Sequence, residues 1–515
     1  MKHRNAPGRA DRMPPRRQQL GFLAAIIGMF MAILDIQIVA SSLTEIQAGI
    51  SASQDEISWI QTSYLIAEII MIPLAGSLAR LFSTRGALVL SCAGFTLTSI
   101  GCALADSLTS LIVMRVLQGF LGGALIPLTQ AVSFQIFPRR RMGSVQAVMG
   151  LVATLAPSIG PTLGGYVTEY LSWHWLFLLN VVPGAIACWM IWHLLDIDKR
   201  EKGILGRLDY PGLVLMALFL GTLEFVLEQG NQDDWLGSRL IFWMTVVSAI
   251  SGVLFLIRSF TVEHPIVDLR LFRYRNFSLG ILTIFLLGVA LYGLVYLTPL
   301  FFGSVRNFPS IDTGEVMFVT GAAMFFAAPL LGYIGDRVSH RSLIIIGLVL
   351  VAVGTMMNAN LTAESGFHEF LWPQIVRGVG LMACIIPASR ITIGALPPAR
   401  IGEGAGMFSL MRNLGGAVGL AMIDTLLNIR EQFHWQQLIP FINDGRDAVV
   451  ERINQYEQML SGAVADPHHA AIALIARKVS TEATVMAYND IFLWLGLIYL
   501  LVIPFSLFIR SSSRA

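Results

Sequence analysis

Three charged residues stand in apolar stretches that offer them no water. Asp35 ends the run GFLAAIIGMFMAILD, Glu68 sits in SYLIAEIIMIPL, and Arg115 sits in LIVMRVLQGFLGG. A side chain that ionises deep in such a stretch is expensive, so by default it marks function. The chemistry open to these types is proton exchange. A carboxyl in an apolar setting takes up or releases its proton according to whether a cation stands beside it. Moving the arginine away, or admitting a cationic substrate, would switch that state. The competing reading is a static ion pair that fixes helix packing. Gln61, Tyr64 and Glu68 fall at i, i+3 and i+7, which is one polar stripe on one helix face. Arg115, Gln118 and Gly122 repeat that spacing. Such helices face a cavity or a partner rather than lipid, so Gln61, Tyr64 and Gln118 are candidate cavity residues. Glu224 and Glu228, one turn apart in a later run, form a second acidic spot, although Glu228 also reads as a surface residue. Asp424 reads as interfacial. Arg377 and Arg412 are intramembrane, and for Arg412, beside Asn413, packing and function are equal readings.

Other chemistries lack their residues. The four cysteines, Cys92, Cys102, Cys188 and Cys384, lie in apolar runs without CxxC spacing and read as small core side chains. The four lysines, Lys2, Lys199, Lys202 and Lys478, never follow a glycine, so no phosphate-binding GxxxxGK[ST] loop exists. No HExxH or Cys/His metal spacing occurs, and His468-His469 reads as a solvated pair. No cofactor is therefore expected.

The elements that must position these residues follow from composition. Of 515 residues, 55% are hydrophobic and 13% charged, against about 25% charged in soluble domains. A membrane-spanning helix takes about 20 apolar residues. Fourteen such runs occur, at about 20–43, 57–79, 86–105, 109–133, 143–168, 173–195, 210–229, 238–257, 278–302, 313–335, 341–361, 368–390, 402–424 and 488–510. They predict an all-α membrane protein, since barrel strands would be short and alternating. The order is six, two, six. A basic tail spans 1–19, a first six-helix bundle 20–195, a linker with two inserted helices 196–277, and a second bundle 278–515 with a long outer loop at 425–487. Of the 35 Lys and Arg residues, 25 fall on one side of this arrangement, seven on the other and three inside. That bias predicts both termini in the cytoplasm. Net charge is only +2, which argues against a nucleic-acid partner.

The two bundles read as repeats. GSLARLFSTR (76–85) matches GYIGDRVSHR (332–341), and RVLQG (115–119) matches QIVRG (374–378). Parallel repeats around a midplane site are a transporter architecture. In the fifth run, APSIGPTLGG (156–165) puts two prolines and three glycines in ten residues, which kinks a helix and admits close neighbours.

These motifs resemble the major facilitator superfamily, in particular its 14-helix drug:proton antiporter branch of the EmrB/QacA type, over nearly the whole chain. LDIQIVASSL (34–43) is similar to that branch's first-helix motif. It keeps Asp35, puts Gln37 where threonine is usual, and departs from the pattern at Ala40, Ser41 and Ser42. Arg115, Gln118 and Gly119 match the fourth-helix motif. Gly160, Pro161, Gly164 and Gly165 match the antiporter motif GPxxGG in full. WHWLFLLNVVPG (173–184) matches a further family stretch with His174 in place of arginine. Arg80 stands where the first loop motif has aspartate, while Gly332, Asp336, Arg337 and Arg341 keep the second copy. Glu228 in LEQG resembles the EmrB-type acid.

The resemblance implies the major facilitator fold, two six-helix bundles plus two extra helices. It also implies proton-coupled export of amphiphilic drugs or toxic organic compounds across the bacterial inner membrane. Asp35 would carry the proton, with Glu68, Glu224, Glu228 and Arg115 in support. Gln37, Gln61, Tyr64 and Gln118 would meet substrate. The glycine–proline and loop motifs would serve the conformational change. A periplasmic adaptor and an outer-membrane channel are implied as partners, with loop 425–487 read either as their docking site or as a solvated cap. Rival readings are a narrow exporter of a lipid-like or siderophore-like metabolite, and a membrane-embedded enzyme or sensor, which should carry clustered His/Asp/Glu motifs.

Overall fold

In a computed structural model the described residues are 13–53, 56–201, 208–263, 265–306, 308, 310–335, 338–397, 400–442, 446–464 and 466–508. Their backbone is helical. In lipid every peptide group must be satisfied within its own segment, and near-continuous apolar sequence can do this only as helix. The longer helices are α1 (Arg16–Ser41), α2 (Trp59–Phe82), α3 (Thr84–Ala103), α4 (Leu108–Ile136), α5 (Met142–Tyr170), α6 (His174–Leu194), α7 (Tyr210–Gln229) and α8 (Arg239–Thr261). Then come α9 (Arg275–Arg306), α10 (Ser310–Ile334), α11 (His340–Met356), α12 (Phe367–Ile393), α13 (Ile401–Leu438), α14 (Asp447–Leu460) and α15 (Pro467–Leu507).

Among the described residues twelve helices are long and apolar enough to cross a membrane. The bent α5 makes a thirteenth if taken as one span; its two parts, Met142–Pro157 and Ile159–Tyr170, meet at 41°. The remaining expected segment is α11, an apolar helix of 17 residues. Polar side chains mark several starts. Ser83 accepts from the Gly86 amide, Asp209 from Gly212, Ser339 from Ser342 and Asp466 from His469.

Helices α1–α6 pack on one another, as do α9–α13 with α15. Helix α8 packs mainly on α7, and α7 in turn touches α2 of the first group and α13 of the second. The principal contact between the groups runs along α5 and α10.

The expected outer loop takes a different form. Helix α13 runs 38 residues and α15 41. At 1.5 Å per residue these are about 57 and 62 Å, nearly twice the roughly 30 Å hydrocarbon layer. Only α14 is a separate short amphipathic helix. AAIALIARKVSTEA, expected within a loop, continues into the last span without a break. Apolar runs end where water begins, whereas a helix without glycine or proline need not. The three helix ends share a small core of Tyr456, Ala471, Ile475 and Val479. At the root of this cap Asp490 accepts from Arg430 at 2.6 Å and lies 2.7 Å from the His434 ring. In α14 the Tyr456 hydroxyl is held below the usual tyrosine range, first by a hydrogen bond from Lys478.

Candidate functional site: a buried carboxylate network beside a cavity between two helix groups

Glycines let α4 lie directly on α2. A Cβ at Gly119 would stand 2.3 Å from the Tyr64 carbonyl oxygen, and one at Gly123 2.9 Å from that of Glu68. Arg115 is fully buried, and Asp35 is 2% exposed.

Arg115 Nη1 donates to Asp35 Oδ2 at 2.5 Å. The other carboxylate oxygen accepts from Gln118 Nε2 at 3.1 Å and Asn180 Nδ2 at 2.7 Å. Gln118 also donates to Ser99 at 2.9 Å. Arg115 Nε donates to the Ile60 carbonyl at 3.1 Å, and the guanidinium lies 4.2 Å from the centre of the Tyr64 ring. A buried charge is tolerable when paired and hydrogen-bonded in this way. Asn180 is an unexpected member. Its signal was present, as the asparagine of WHWLFLLNVVPG, but nothing in spacing ties it to Asp35.

Glu68 lies apart from this network and is 2% exposed. It lines a narrow chamber with Gln37, Tyr292 and Arg412. A second chamber adjoins it. Ile126, Ala153, Leu291 and Arg412 line both, so the walls come from both helix groups. Glu68 Oε1 has no hydrogen-bond partner among the described residues. Tyr292 donates to Asn413 Oδ1 at 3.2 Å.

Of the residues expected to meet substrate, Gln37 lines the chamber. Tyr64 and Gln118 belong to the Asp35 network. Gln61 is half-buried, and its Oε1 is unpartnered among the described residues. Glu224 is 4% exposed, with Glu228 and Glu68 as its charged neighbours. Glu228 is half-buried at the end of α7. Next to it Gln229 ties α7 to α2 by bonds of 3.2 Å to Ser58 and 3.1 Å to Thr62.

The glycines of the GPxxGG stretch pack on α1. A Cβ at Gly160 would come 2.6 Å from that of Gln37, and one at Gly164 2.7 Å from Ser41 Oγ. Gly165 accepts from Thr168 at 3.2 Å, and Pro161 lies inside the bent α5.

At the basic ends of the two groups the repeats meet crosswise. Gly76 lies against the start of α13, where a Cβ would be 3.2 Å from the Glu403 amide nitrogen. Gly332 lies against the start of α5, 3.3 Å from the Gly143 carbonyl. Arg80 pairs with Glu403 across the first contact at 3.6 Å. Arg341 is in the first turn of α11. Asp336 and Arg337 lie outside the described residues. Among the described residues no group of three or more His, Cys, Asp or Glu is placed to hold a metal ion.

Known proteins agree with this geometry. The sequence description of the Major Facilitator Superfamily matches residues 25–420. The chain is 39% identical to the colistin resistance protein EmrB of Acinetobacter baumannii, covering 98% of each. It is 30% identical to the multidrug export protein EmrB of Haemophilus influenzae, covering 92% of each. Its backbone superimposes on the proton:xylose symporter XylE with a TM-score of 0.60 at 12% identity, covering 97% of each chain.

Proposed function

The chain belongs to the major facilitator superfamily, and from that premise we propose that it is a proton-coupled exporter of amphiphilic drugs or toxic organic compounds. It is a secondary active transporter, built as a multi-pass membrane protein. Its place is the bacterial inner membrane, with both termini cytoplasmic and the proton gradient as its energy source. The EmrB relatives, named for multidrug export and colistin resistance, support the substrate class.

This reading is carried by the Asp35–Arg115 pair, buried in the helix group that forms one wall of the cavity. Asp35 takes the proton. Arg115, Gln118 and Asn180 hold the carboxylate when the proton leaves. Glu68, Glu224 and Glu228 are further acids, and Gln37 meets substrate at the chamber wall. Alternating access then rocks the two groups about the cavity, with Gly160, Pro161, Gly164 and Gly165 as the close-packed pivot on α1. Gly332, Asp336, Arg337 and Arg341 belong to the second loop copy at the basic end. The cap of α13, α14 and α15 is the surface on which a periplasmic adaptor, leading to an outer-membrane channel, would rest.

The test is Asp35→Asn in proteoliposomes, reading proton release driven by a fluorescent cationic dye. Loss of dye-driven proton release with dye binding retained is expected. Unchanged coupling would remove Asp35 from the mechanism.

A further inference from the structure

The two buried acids differ in where their partners live. Every side chain that hydrogen-bonds Asp35 (Arg115, Gln118, Asn180) comes from α4 or the start of α6, within the first helix group. Glu68 faces the other group. Across the chamber it meets Arg412, on α13, and Tyr292, on α9. Tyr292 and Arg412 both reach Asn413 Oδ1. The remaining charged neighbours of Glu68 are Arg115 on α4, Asp35 on α1 and Glu224 on α7.

Among the residues that line the two chambers, Glu68 is the sole carboxylate and Arg412 the sole cation. Arg412 sits in the wall of both chambers, and its guanidinium reaches Asn413 Oδ1 at 3.4 Å. The α13 backbone is tightly set here, since a Cβ at Gly288 of α9 would stand 2.2 Å from the Arg412 carbonyl oxygen.

We propose that Arg412, steadied by Asn413, is the positioning residue that ties the protonation of Glu68 to the movement of one helix group against the other. A contact inside one rigid group survives a rocking motion unchanged. A contact between groups must be broken and remade. A charge pair of the second kind turns a proton on a carboxyl directly into a shift of the conformational balance, because its energy differs between the two arrangements. When Glu68 is ionised, Arg412 is drawn toward it and the groups are held together at the chamber. When Glu68 takes a proton, or a cationic substrate takes the place of Arg412, that hold is lost. This deepens the proton-coupled export reading and rests on it.

The experiment uses the full chain in proteoliposomes with ethidium as the transported cation and a pH-sensitive dye for protons. Arg412→Gln should lower ethidium-driven proton release about tenfold, and Arg412→Lys should stay within about twofold of the parent. Glu68→Gln should resemble Arg412→Gln, and the double variant should be no worse than either single one, because partners that act as a unit are not additive. Arg412→Gln with parental coupling overturns the inference, and so does a double variant whose loss is the product of the two. If Arg412→Gln does not fold, the double variant decides. Recovery of folding when both charges are gone supports the pairing, and continued failure overturns it. A parent chain that exchanges no ethidium for protons sinks the export reading itself. An active parent with an unaffected Arg412→Gln sinks only this inference.

Discussion

At the scale of the residue, the Asp35 carboxylate is well supplied with donors. Two oxygens receive three side-chain hydrogen bonds, all buried. Each is a bond to a charged group, and removing one costs about 1.5–3 kcal/mol. Asn180→Ala should therefore lower the thermal midpoint of the detergent-solubilised protein and slow dye export, with Asn180→Asp worse, since it sets a second carboxylate beside the first. Equal midpoints for parent and Asn180→Ala, measured by thiol-dye fluorescence of the free cysteines, would show that this bond carries little. Asp35, Glu68 and Arg115 were legible in the sequence because a charge in an apolar run is conspicuous. Asn180 and Asn413 were not, because an asparagine near a glycine or a proline reads as a turn or a packing residue. Arg412 was visible as a charge, but its role depended on which chamber it lined, and that is set by the pairing of α13 with α9.

At the scale of the element, the contact between α2 and α13 shows how a departure from a motif is balanced elsewhere. The repeat puts Asp336 in the second loop copy where Arg80 stands in the first. An arginine aimed at the start of a helix meets the positive end of its dipole. The first turn of α13 supplies Glu403, and the two side chains pair at 3.6 Å. At the offset relating the contact partners, the second copy has Ser144 in place of Glu403. The first contact has therefore exchanged polarity rather than lost it. Both side chains are partly in water, 42% and 24% exposed, so the pair alone is worth at most about 1 kcal/mol. Arg80→Glu should slow turnover several-fold by setting two like charges between the groups, and Arg80→Glu with Glu403→Arg should recover most of it. Export rates of the two single variants and the swap decide the matter, and a swap no better than Arg80→Glu would refute the pairing. The sequence named the anomaly at Arg80 but not its answer, which lies more than 300 residues away. The helix series itself was legible almost throughout. What hydropathy misplaced was the outer region, since it registers the membrane edge and not the helix end.

At the scale of the whole molecule, the two groups repeat the fold but not the charge. The pair Arg115 and Gln118 on α4 reappears on α12 in reverse order, as Gln374 and Arg377. Arg377 is 3% exposed and bonds Gln374, which in turn accepts from Thr320 on α10. Helix α9, which repeats α1, holds no carboxylate along its length. The guanidinium of the second group thus has the amide of its counterpart but no acid, and its Nε and Nη1 are unpartnered among the described residues. If proton coupling depended on the shared architecture, both arginines would matter alike. If it depends on a carboxylate that a guanidinium can hold, only Arg115 should. Arg115→Gln is therefore expected to change the number of protons released per dye molecule exported, whereas Arg377→Gln should leave that ratio unchanged and act on expression or thermal stability alone. Because the ratio is independent of how much folded protein is present, the two effects separate in one proteoliposome measurement. A changed ratio in Arg377→Gln would mean that the second group carries a proton site of its own, and would move the division of labour from one half of the molecule to both.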